Sequence, residues 1–169
     1  MTKLTDIPSD FYLEYYRQLP QIDAKEVRML WHCAYWDGPL DGILLYRGKP
    51  HWFQIFCPLQ TDEMRSRVDE ENVVWNDYFV RYLVIELSKE QIKEEEYWHE
   101  LFRQKVGTHT DYDENGHRAI GALKPGDMWS EFYEAYKTRT PRDLSNNQIA
   151  GWFEYVAASI RQHEDEDNH

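Results

Sequence analysis

The sequence predicts an α+β fold, an antiparallel sheet of about four strands packed by four or five helices. Three observations carry that expectation. A dense apolar stretch over residues 29–56 is interrupted by two turn-rich connections. A second aromatic and β-branched run follows at 78–87. Around these runs, apolar residues recur at helical spacing, several of them behind sequence patterns that cap helices.

The 29–56 stretch reads as a three-strand meander, with strands near 29–36, 42–47 and 51–56. Asp37-Gly38 and Asp41-Gly42, with Pro39 between them, make the first connection; Arg47-Gly48-Lys49-Pro50 makes the second. Gly tolerates positive φ and Asp side chains support local turns, so both connections can reverse the chain. A two-residue turn at Gly48-Lys49 would set Tyr46 opposite His51 and send Trp52 to the other face. Trp31, Cys33 and Tyr35 alternate with Leu30, Ala34 and Trp36, so both faces are apolar and call for helical cover. Residues 78–87 read as the fourth strand on composition.

The helices follow from caps and stripes. Ser9 is placed to cap a first helix bearing Tyr12, Tyr15, Tyr16 and Leu19, which Pro20 stops. A short helix suits residues 62–71. Ser88 and Gln91 have the spacing of a capping box, opening a helix that carries Trp98, Leu101 and Phe102 and stops at Gly107. Asp127 is the expected N-cap of a helix with Trp129, Phe132, Tyr133 and Tyr136. Ser145 and Gln148 repeat the capping-box spacing ahead of Ile149, Trp152, Phe153, Val156 and Ile160, which predict a final amphipathic helix. Residues 1–163 read as one domain and 164–169 as a frayed acidic tail.

Charge narrows the function classes. The chain of 169 residues carries a net charge of −12, of which residues 61–169 hold −11. Such a surface repels phosphate backbones and anionic lipid, so neither nucleic acid nor membrane is an expected partner. A basic protein partner suits it. No signal peptide or membrane-spanning run stands out, and Cys33 and Cys57 read as buried, reduced thiols, which together predict a cytoplasmic protein. No cofactor motif, nucleophile motif or Gly-rich phosphate loop is found.

Three constellations remain as candidate sites. Asp111, Asp113 and Asn115 with Gly116 match the first half of a calcium loop, but the twelfth position is Ala122 where a bidentate Glu is needed. Asn115-Gly116 is equally a hairpin turn, pairing Glu114 with His117 and Asp113 with Arg118, and no metal is expected there. His32, Asp37, Asp41 and His51 are the candidates for acid–base chemistry, on the reasoning that paired carboxylates and an imidazole can exchange protons in a cleft. Trp36, Tyr46 and Trp52 are candidate binding aromatics, and Glu94, Glu95 and Glu96 are the densest acidic block on an ordered element. Two functions follow. The first is an interaction module, of inhibitor or immunity type, that presents an acidic face to a basic partner. The alternative is a small-molecule-binding domain or enzyme with its site at the meander loop, 32–52.

Overall fold

The computed structural model describes residues 1–6, 15–33, 39–56, 79–119 and 121–156. Five strands form one antiparallel sheet in sequence order: β1 (Val27–His32), β2 (Asp41–Tyr46), β3 (Lys49–Phe56), β4 (Phe79–Glu86) and β5 (Ile149–Val156). Two α-helices, α1 (Lys89–Lys105) and α2 (Gly126–Tyr136), lie between β4 and β5 in sequence. The expected four-stranded sheet under four or five helices is therefore wrong: the described residues hold five strands and two α-helices.

The largest correction is at the end of the chain, where β5 replaces the predicted final helix. Ile149 and Trp152 do share one face, as three-residue spacing suggested. The cause is a register shift in β5, which pairs Ile149 with Ile85 but Gly151 with Val84. One inserted residue gives an odd spacing the same face in a strand, which mimics a helical stripe. The bulge also brings the backbone of Pro20 close, where a Cβ on Gly151 would lie 2.4 Å from its carbonyl oxygen. The expected capping box is absent: Ser145 bonds back to the Asp143 carboxylate through both its N–H and its hydroxyl.

At the start of α1 the local chemistry held. Ser88 Oγ accepts from Gln91 N at 3.1 Å and Gln91 Oε1 accepts from Ser88 N at 2.9 Å, the expected capping box at the start of α1. The β2–β3 turn falls one residue earlier than expected. Arg47 (φ 50°) and Gly48 (φ 73°) are its centre, and Tyr46 pairs with Lys49. Pro125, not Asp127, occupies the N-cap position of α2. Tyr15–Gln18 forms a 3-10 turn that leads to the buried Leu19; residues 9–14 of the predicted first helix, the 62–71 helix and Cys57 fall outside the described residues.

The two sheet faces bury separate cores. Trp31, Ile43, Trp52, Leu83, Ile85 and Trp152 share one; Met29, Leu44, Phe53, Tyr82, Val84 and Phe153 share the other. Ile22 N donates to Trp152 O at 2.7 Å, so the lead-in to β1 covers the outer edge of β5. Five residues reach at most about 17 Å. A flat sheet would need about 24 Å from beyond β5 to β1, so the sheet must curl. The other edge is covered too: residues 110–112 run beside β1, with His32 N donating to Thr110 O and Tyr112 N to Leu30 O. No helix among the described residues is long and apolar enough to cross a membrane.

Candidate functional site

Helices α1 and α2 pack together through Phe102, Val106 and Phe132, with Trp98, Leu101, Trp129 and Tyr136 around them. Where this pair meets the end of β1, the described residues line a half-open cavity of about 300 Å³. Trp31, Trp98, Phe102, Trp129, Phe132, Tyr133 and Tyr136 supply aromatic walls; His32, Cys33, Glu95, His99 and Arg139 supply its polar groups. Sequence spacing explains the α1 contribution. Glu95, Trp98, His99 and Phe102 stand at i, i+3, i+4 and i+7, one face of a helix.

One side of the cavity is held by a buried ion triad. Glu95 Oε1 accepts from Arg139 Nη2 at 2.5 Å and from Arg142 Nε at 2.6 Å, while Oε2 accepts from Arg142 Nη2 at 2.9 Å. The Glu95 side chain is only 5% exposed and that of Arg139 6%. Burial alone would push the Glu95 carboxyl up, but the hydrogen bonds from Arg142 and Arg139 outweigh it and hold it below its ordinary range. The Arg142 guanidinium also lies 3.7 Å from the centre of the Trp52 ring.

On another side is an imidazole–carboxylate pair. His99 Nε2 lies 2.5 Å from Asp111 Oδ1, and Arg103 grips the same carboxylate through Nε at 3.0 Å and Nη2 at 3.2 Å. His99 lies flat on Trp31, with ring centres 4.5 Å apart and 7° between planes; Phe102 is nearly parallel to it at 6.1 Å. Burial lowers the His99 pKa, and the Asp111 hydrogen bond opposes the shift only in part. Burial works to raise that of Asp111, yet hydrogen bonds from His99 and Arg103 leave it lowered.

The structure redistributes the expected site residues. Of the acid–base candidates, His32 lines the cavity; Asp41 does not, although its backbone carbonyl accepts from Cys33 N at 2.9 Å. Burial pushes the Asp41 carboxyl up, against the pull of Arg142. His51 is elsewhere, beside Tyr46 in a separate hollow with Arg47, Lys49 and Glu86, its Nδ1 2.9 Å from Lys49 O. Asp37 and Trp36 lie outside the described residues. Neither His32 nor His51 is on a strand surface, since both are buried. Tyr46 and Trp52 are buried as well, so they are core residues rather than exposed anchors. Cys33, expected to be buried, is exposed at its surface.

The acidic block divides: Glu94 and Glu96 are exposed, whereas Glu95 is the centre of the ion triad. At 111–116 the chain makes a turn in which Gly116 N donates to Asp113 O, and Tyr112 rather than Asp113 bridges Arg118. The Asp113 carboxylate accepts from Asn115 N and His117 N, while Asp111 turns away to His99 and Arg103, so the two carboxylates do not converge. Arg139, Arg142, Trp129 and the His99–Asp111 pair were missed by motif reading. The shared helical stripe of Glu95 and His99 with Trp98 and Phe102 was the available signal.

No protein-family model, curated protein or solved structure matches the chain, so the site is argued from its own geometry.

Proposed function

We propose that this protein is a small-molecule-binding domain that takes a flat, largely apolar ring compound into the cavity between β1, α1 and α2. The single observation that supports this reading best is the lining: seven aromatic side chains around about 300 Å³, at the lower end of ordinary ligand sites. That volume suits one or two fused rings. Edge-to-face packing is already set among the walls, with Trp98 perpendicular to Tyr136 and Phe132 perpendicular to Phe102. Glu95, the one carboxylate on the wall, is paired with Arg139 and Arg142, and with Glu94 also on Arg139 the four charges balance, which favours an uncharged guest.

The alternative of an acidic face for a basic partner keeps Glu94 and Glu96 as its exposed places on α1. Its densest block loses Glu95 to the interior.

The test is calorimetric titration with naphthalene, indole and quinoline, followed by thermal melting with each. A bound ligand at a hundredfold excess over its Kd stabilises the native state by about 2.7 kcal/mol. Binding by at least one probe, weakened roughly tenfold or more in Trp129→Ala with the fold intact, is the expected result. Indifference of both heat and melting temperature to every probe refutes the reading.

A further inference from the structure

Of the two histidines in the cavity wall, His99 has one ring nitrogen held by a carboxylate and the other unpaired among the described residues. Asp111 Oδ1 faces Nε2, and the carboxylate is anchored by Arg103, so Nε2 carries the proton as the donor. That leaves Nδ1 with a free in-plane lone pair, and it makes no hydrogen bond among the described residues. Both ring nitrogens of His32 are buried without a hydrogen-bond partner, so no neighbour among the described residues fixes which of them carries the proton. The His32 ring stands edge-on to Tyr112, with ring centres 5.8 Å apart.

We propose that His99 is the hydrogen-bond acceptor of this cavity, and that it selects ring compounds carrying an O–H or N–H donor on their edge. The inference rests on the binding reading above and names the chemical class of the guest. Three features preorganise the acceptor. Stacking on Trp31 fixes the plane of the imidazole, so the lone pair points in one direction. Asp111 fixes the tautomer and makes the ring a better acceptor. Asp111 is itself pinned by the backbone, bridging Trp31 and accepting from Ala119 N at 2.8 Å. A buried acceptor left unpaired costs more than one that is satisfied, so guests lacking a donor are disfavoured.

The probes are 2-naphthol and 2-methoxynaphthalene, which share a ring system but differ in whether the oxygen can donate. The unmodified protein should bind 2-naphthol about tenfold more tightly. His99→Phe, which keeps the stacking surface, should bind both compounds alike. Nitrogen-15 histidine NMR of the unmodified protein reads the same claim without a variant: Nδ1 should be the unprotonated nitrogen and shift when 2-naphthol binds. Equal affinity for the two probes, a preference that survives in His99→Phe, or a protonated Nδ1 with naphthol bound overturns the inference while the cavity reading stands. Binding of neither probe, nor of naphthalene, overturns both.

Discussion

Replacing Glu95 by alanine removes the partner of two arginines at once. Arg139 keeps only 6% side-chain exposure, and its remaining charged contact is Glu94 at 3.4 Å, on a side chain 48% exposed. Arg142 is 20% exposed and recovers some hydration. Breaking a buried pair from one side typically costs about 3–5 kcal/mol, most of it the stranded charge. Because Arg142 reaches water, the lower part of that range, about 3–4 kcal/mol, is expected here. At roughly 2–4 °C per kcal/mol for a chain of this size, the melting temperature should fall by about 6–16 °C. Differential scanning calorimetry and urea unfolding check it, with Glu94→Gln and Glu96→Gln as controls that shift melting by no more than about 2 °C. A Glu95→Ala protein that melts within about 2 °C of the parent would show that the triad carries no such charge burden. A loss that disappears in high salt would refute the reasoning equally, because screening acts on exposed pairs and not on buried ones.

Two further perturbations test other parts of the fold. Burial, aided by Arg118, His109 and His99 and opposed by Asp111, lowers the His32 pKa from 6.5 to about 4. The unfolded chain then binds more protons between those values, so stability is complete above about pH 6.5 and declines, by up to about 3 kcal/mol, as pH falls to 4. Urea unfolding across that window should show the slope in the parent and a flatter one in His32→Leu; identical slopes would contradict a neutral buried His32. Trp152→Ala should cost about 3–5 kcal/mol, since the ring is 7% exposed and packs edge-on to Tyr16 at 5.0 Å and under Arg81 at 5.1 Å. An unchanged denaturation midpoint would show that β5 is not part of the cooperative core.

What the sequence determined by itself was local. Strands β2, β3 and β4 are legible because alternation and turn residues act within a few positions, and the α1 capping box is legible because Ser88 and Gln91 satisfy each other across a single turn. The rest was decided by contacts between distant parts of the chain. A stripe of Ile149, Trp152 and Phe153 fits a helix as well as a bulged strand, and only pairing with β4 selects the strand. Glu95 reads as a solvated charge until Arg139 and Arg142, 44 and 47 residues away, are folded onto it. Asp111 reads as a calcium ligand or a turn residue until residues 110–112 lie along β1 and bring it to His99. Spacing along the chain sets which residues share a helix face or a strand face. Which charges meet depends on where those faces are docked, and that is settled by burying apolar surface over the whole chain.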